Sequence, residues 1–232
     1  MKSFFFKLAA VFALLSAITT LGVHLIPNLY TANNFEEQVA LKDNKIYLFR
    51  LAVVIIHIFF VLFSMWAILV AKKKEQLHWL GIGFCGYFLF AISEWFRISQ
   101  ALFLINRVWR QQYSITTDPL EKTILKMEIN SWPGINNALF FTLIMGFFIG
   151  VLFYGIAFLS SPKSRLEKIL GYLFIIWSLT SFAGVLGETN IVNVPIPEWV
   201  SWTFQPLVRI VICVWLWRQS LENLRPLQKS IS

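Results

Sequence analysis

Glu94, Arg97 and Arg209 stand inside long apolar runs of a 232-residue chain. Ionisable side chains in such runs usually face a wet cavity or one another, because each costs about 2.5–3.5 kcal/mol at mid-membrane on insertion scales. On a helical rise of about 1.5 Å per residue, Glu94 lies about 16 Å below Ile105, the outer end of its run, and Arg209 about 15 Å below Trp199. Equal depth makes Glu94–Arg209 the first pairing to expect, with Arg97 beside Glu94 on one helix face. Arg97 then needs another acceptor: Glu188, an outer-leaflet phosphate or a bound anion. Two arginines against one carboxylate favour an anionic ligand such as a phosphate or carboxylate headgroup.

Further polar residues fall at the same outer depth. Arg50, His57 and Ser64 recur every seven residues along one run, and Ser93, Arg97 and Gln100 form a stripe beside Glu94. Asn136 and Asn137 open the next run. Ser181, Gly184 and Glu188 share a face of the fifth, and Ser201, Gln205 and Arg209 share a face of the sixth. The candidate ligand-binding set is therefore His57, Glu94, Arg97, Gln100, Asn137, Glu188, Gln205 and Arg209. Pro206 removes a hydrogen bond from the Trp202 carbonyl, so a kink or a free carbonyl is expected one turn above Arg209.

Each of these has a plainer reading. Glu94 with Arg97 or Arg209 could be a structural salt bridge that only fixes helix register. Arg50, at a helix end, reads as an anchor that snorkels to the headgroups. Gly146 and Gly150 form a GxxxG packing face, and the ten Trp cluster towards run ends as interface anchors.

Catalytic signals are sparse. Glu94 and His57 could do acid–base work, but no nucleotide-binding glycine pattern, nucleophile elbow or H-E-x-x-H occurs. His24, His57 and His78 fall at unlike depths, which does not suit a bis-histidine haem. No cofactor and no metal are expected, and the reading leans away from an enzyme.

The elements that must hold these residues are membrane helices. The chain is 57% hydrophobic, with 23 Phe, and only 14% charged, against about 25% charged in soluble domains. That excludes secreted disulfide-stapled modules, and Cys85 and Cys213 both sit in apolar runs. Six segments reach the roughly 20 residues that a helix needs to cross hydrocarbon: Leu8–Ile26, Leu51–Ala71, Leu77–Ile105, Gly134–Leu159, Ile169–Gly187 and Trp199–Trp217. The runs are continuous, not alternating, so they are helices and not barrel strands. The expected fold is all-α: one membrane domain over residues 1–232, a six-transmembrane helix bundle.

With the N-terminus in the cytoplasm, Lys2, Lys7, Lys72, Lys73, Lys74, Lys163, Arg165, Lys168, Arg218, Arg225 and Lys229 all fall inside. Lys42, Lys45, Arg107, Arg110, Lys122 and Lys126 are spread over longer outer loops. That bias places both termini in the cytoplasm of a multi-pass cell-membrane protein. It also accounts for the net charge of +8 without a nucleic-acid partner. Lys2 and Lys7 before an apolar run also resemble a secretory signal, but no small-x-small cleavage site follows, so a retained signal-anchor is expected. Residues 28–47 should hold a short helix. In the outer loop 106–133, Asp118 can cap an interfacial helix with Pro119 at its first position. Residues 188–198 form a short outer loop.

The order of motifs resembles the DUF4386 family of uncharacterised bacterial membrane proteins. The residues that carry the resemblance begin with Leu48-Phe49-Arg50-Leu51, then Phe96-Arg97-Ile98-Ser99-Gln100-Ala101 followed by Asn106. Gly150 and Gly155, Ser160-Ser161-Pro162 to Leu170-Gly171, and Trp215-Leu216-Trp217 complete them. Leu166-Glu167-Lys168-Ile169 departs from the family's Pro-Arg before Leu-Gly, and Leu207-Val208-Arg209 departs from its Gly-Glu. The resemblance implies a six-helix bundle and supplies no activity.

The leading functional expectation is a membrane protein that binds or moves an anionic or amphiphilic small ligand or lipid in a polar outer-leaflet pocket. A non-catalytic membrane subunit or regulator is the alternative, and an intramembrane transferase or hydrolase the third. The lipid bilayer is the expected partner, with an anionic lipid or small anion as ligand.

Overall fold

Polar caps start the helices and apolar runs carry them. The computed structural model describes residues 2–188 and 198–222, with the side chains of Lys2, Val185, Glu188 and residues 198–201 outside that description. The expected loop 188–198 lies largely outside the described residues, as do Arg225 and Lys229. Among the described residues there is no strand. The helices are α1 (Lys2–Leu25), α2 (Phe35–Ala40), α3 (Lys45–Ser99), α4 (Gln111–Ile115), α5 (Pro119–Ser160), α6 (Arg165–Glu188) and α7 (Glu198–Glu222). An eleven-residue π-helix, Gln100–Arg110, joins α3 to α4.

Four stretches are long and apolar enough to cross a membrane: Ser3–Leu29, Lys45–Ile115, Pro119–Ser160 and Arg165–Gly184. The second is a hairpin. α3 has 55 residues and would be about 80 Å long if straight. Only Gln76 leaves the helical region (φ −137°, ψ 33°), and the chain folds back there. The rings of Phe59 and Trp95 lie 5.2 Å apart, although a straight helix would separate them by about 54 Å. The second and third expected spans are thus the two arms of α3.

The segment expected as the long outer loop departs from expectation. Asp118 does cap a helix, accepting from the Leu120 amide at 2.9 Å, with Pro119 in its first turn. That helix is no separate interfacial piece, because it runs without a break through Pro133 to Ser160. Its 42 residues span roughly 60 Å, about twice a hydrocarbon core. Leu125 and Ile129 are buried while Leu120 and Met127 are exposed. The first turns therefore pack one face onto protein. Phe35 of α2 meets Tyr113 of α4 edge-on at 5.0 Å, and Lys126 of α5 lies 5.1 Å from the Phe35 ring. These pieces form a cap over one end of the bundle.

Close backbone contact sets the bundle's centre. A Cβ on Gly86 would lie 2.5 Å from the Gly150 amide nitrogen, and one on Gly146 would lie 2.7 Å from that of Phe90. The GxxxG of α5 is therefore seated against Gly83 and Gly86 of the inner α3 arm, as small residues in membrane helices allow. α1 belongs to the bundle too, with Ala9, Ala10, Ala13 and Ala17 buried and its main neighbours α7 and α3.

Candidate functional site

The expected pocket divides into two places. The first, under the cap, is a cavity of about 270 Å³ lined by Arg50, Leu51, Val54, Arg97, Ala101, Trp132, Pro133, Asn136 and Asn137, among others. It opens where the α3 arms approach the cap. Pro133, lying within α5, has no amide hydrogen to give the Ile129 carbonyl, so backbone irregularity falls on the cavity wall.

Glu94 does not reach Arg209. Its carboxylate is held by Arg97, three residues on. Arg97 Nε donates to Glu94 Oε2 at 2.6 Å, and a second guanidinium nitrogen donates to Oε1. Arg97 also donates to Asn136 Oδ1 at 3.1 Å. Matching depth on two helices does not fix azimuth. The neighbour one turn away wins, because both side chains leave the same face of the same helix.

Arg50 takes a larger part than an anchor's. It donates to the Tyr30 hydroxyl at 3.1 Å, its Nε is buried without a partner, and it shares the cavity wall with Arg97. The signal was there in the Arg50–His57 spacing, but nothing in the sequence folds the third span against the second at this register.

The deeper place gathers His57 and Arg209. His57 Nδ1 lies 2.8 Å from Thr19 Oγ1 of α1 and within electrostatic reach of Arg209. Arg209 is buried, donates to Ser16 Oγ at 3.3 Å, and lies 5.4 Å from the Trp177 ring centre. Trp177 and Trp215 are each 2% exposed, so these two are core residues and not interface anchors. Pro206 stays within α7.

Gln100 and Gln205 are half-buried, and Gln100 does not line the cavity under the cap. The Glu188 side chain lies outside the described residues. His57 and Glu94, the pair an acid–base enzyme would need, hold different partners, Thr19 and Arg97. Among the described residues no cluster of three His, Cys, Asp or Glu side chains could hold a metal.

Sequence reasoning missed a third polar centre at the opposite end. Lys72 Nζ lies 2.8 Å from Glu167 Oε2 and 3.3 Å from the Ser161 carbonyl. Trp215 Nε1 donates to Glu167 Oε1 at 3.3 Å, and Lys72 sits 5.1 Å from the Phe158 ring centre. The α3 turn, the α5–α6 connection and the end of α7 thus meet at one end of the molecule. No family model, curated protein or solved structure matches the chain.

Proposed function

We propose that the chain is a six-crossing membrane protein with its N-terminus in the cytoplasm, binding or moving an anionic amphiphile in the outer cavity. The crossings are α1, the two arms of α3, the later part of α5, α6 and α7. The Lys72–Glu167 end carries Lys73, Lys74, Lys163, Arg165 and Lys168, which the positive-inside rule assigns to the cytoplasm. The cap end is then outside, and the cavity lies near the outer headgroups. The motif order supports placing the chain with the DUF4386 family.

One observation carries the ligand class. Arg50 and Arg97 share one wall, Glu94 neutralises only Arg97, and Asn136 and Asn137 add amides. The wall keeps one unbalanced positive charge. At about 270 Å³ the cavity is at the small end for ligand sites, which run to roughly 300–1,000 Å³. It suits a phosphate or carboxylate headgroup whose chains stay in lipid.

The test is an inventory of lipids retained by the protein purified in mild detergent, read by native mass spectrometry. Anionic lipid should be retained in preference to phosphatidylcholine, and Arg50→Gln should lose that preference while the protein remains folded. Equal retention of both lipid classes by the unaltered protein would overturn the reading. A stoichiometric co-purifying protein would favour the subunit alternative.

A further inference from the structure

The strongest unexplained charge in the molecule is Arg209, 2% exposed. Among the described residues its one hydrogen-bond acceptor is the Ser16 hydroxyl. Its Nε, the Trp177 Nε1 and the Tyr87 hydroxyl are all buried without a hydrogen-bond partner. Tyr87 is fully buried and within electrostatic reach of the guanidinium. Ser16 Oγ gives its own hydrogen to the Ala13 carbonyl at 2.7 Å and leaves Arg209 only a lone pair. Among the described residues no carboxylate forms an ion pair with Arg209.

The acids on the neighbouring helices are engaged elsewhere or lie well along the helix backbone. Glu94 is held by Arg97. Glu188 is eleven residues beyond Trp177 on α6, and Glu198 eleven before Arg209 on α7, about 16 Å along either axis. Glu222 is thirteen residues beyond Arg209, about 20 Å. An aromatic face and one hydroxyl offset only part of the cost of burying a cation. Burial this complete also keeps a neighbouring protein's carboxylate from reaching the guanidinium. The missing charge must therefore come from something small enough to lie inside the bundle.

We infer that Arg209, with the Tyr87 hydroxyl and the Trp177 indole N–H, holds a small inorganic monoanion of halide size. One negative charge balances one guanidinium, and an acceptor without hydrogens answers three orphaned donors at once. The approach runs from the outer cavity. Arg50 and Val54 line it, and His57, one turn deeper than Val54 on the same arm, is within electrostatic reach of Arg209. Towards the cytoplasm Tyr154, Phe158, Phe174 and Trp215 are buried in the core, which favours entry from the outside. The inference does not depend on what the outer cavity binds.

The full-length protein in detergent should be melted while sodium gluconate is replaced stepwise by sodium chloride at fixed ionic strength. Chloride should raise Tm along a saturating curve, and bromide should do the same. Arg209→Met, close in length and uncharged, should melt at one temperature in both salts. Tyr87→Phe, which loses only a hydroxyl, should need about tenfold more chloride for half the rise, the scale of a hydrogen bond to a charged group. Identical melting of the unaltered protein in the two salts would overturn the inference, as would a full chloride response in Arg209→Met. If Arg209→Met does not fold, Tyr87→Phe and Trp177→Phe decide the matter: an unchanged chloride midpoint in both removes the site.

Discussion

Lys72 Nζ sits 2.8 Å from Glu167 Oε2 with both side chains about 95% buried, and the pair joins segments that are far apart in sequence. The lysine belongs to the turn of the α3 hairpin and the glutamate to the first turn of α6. Glu167 also accepts from the Lys163 amide at 2.8 Å and from the Trp215 indole, so its lone pairs are well used. Removing one partner strands a buried charge, which costs about 3–5 kcal/mol in soluble proteins. Lys72→Met and Glu167→Gln should each lower the unfolding free energy by about that amount. The double variant should lose less than the sum, because the two losses share one interaction. Denaturant unfolding in mixed micelles measures both, and strictly additive losses would show that the pair is not coupled.

Beside it, Lys163 and Glu75 pair at 2.5 Å, with the lysine side chain 67% exposed. The hydrogen bond to Glu75 raises the Lys163 pKa above its ordinary value. A raised folded pKa means that the contribution is whole below the ordinary lysine range and fades as pH climbs through the folded value. Solvent and salt screen it, so Lys163→Gln should change stability by no more than about 1 kcal/mol at neutral pH. The difference should shrink further in high salt. A cost equal to that of Lys72→Met would mean that this exposed pair, too, holds the α3 turn.

The glycines offer a contrast within one residue type. Gly86→Ala puts a methyl 2.5 Å from the Gly150 amide nitrogen, a backbone atom that cannot swing aside. Nothing lies within 4 Å of a Cβ on Gly81 or Gly134. Gly86→Ala should force α3 from α5 and destabilise by about 1–3 kcal/mol, as overpacking does. Gly81→Ala should be neutral or stabilising by up to about 1 kcal/mol, since alanine is the better helix former. Melting temperatures of the two variants, taken together, test the close approach.

What could be read from the sequence followed from local physics. Continuous apolar runs set the helices, Asp118-Pro119 set the start of α5, and Gly146 and Gly150 marked a packing face. The Glu94–Arg97 contact was also available, since a spacing of three puts both on one face. The failures needed information that no single run contains. From the sequence, Lys72, Lys73 and Lys74 count only as charges on the cytoplasmic side, and only the return of α6 at Glu167 gives the first of them a buried partner. The sequence ends the outer loop at residue 133, yet α5 runs through Pro133 because the preceding turns pack Leu125 and Ile129 onto protein. Arg209 matched Glu94 in depth, but which way each side chain faces depends on how the helices rotate about their axes.

α1 is a working part of the bundle's interior. Ser16 is the hydrogen-bond acceptor found for Arg209, and Thr19 holds His57. Ser16→Ala, which removes little more than the hydroxyl, leaves the guanidinium with one acceptor fewer. That should destabilise by about 1–3 kcal/mol, the cost of leaving a buried polar group unsatisfied. In Arg209→Met the same substitution should cost little or nothing. A double-mutant cycle on thermal unfolding reads the difference, and equal effects in both backgrounds would mean that the 3.3 Å contact contributes nothing.

Glu94 separates a binding site from a scaffold, because the two roles pull its variants in opposite directions. The carboxylate accepts from two nitrogens of Arg97 and draws that guanidinium against its own helix. Glu94→Gln keeps the shape, removes the charge and leaves the Arg97 guanidinium at the cavity wall, still bonded to Asn136. The wall then carries two unbalanced positive charges, from Arg50 and Arg97. Anionic lipid should be held more tightly, by about three- to tenfold, the worth of one added charge at a partly solvated site. Stability should fall at the same time, since a charged pair has been broken, and added anionic lipid should recover part of the loss by binding the folded state. Titrating phosphatidylglycerol into the unaltered protein and Glu94→Gln, with melting and lipid binding followed together, gives both quantities. Lower stability with unchanged affinity and no recovery by lipid would make Glu94–Arg97 a structural bridge alone.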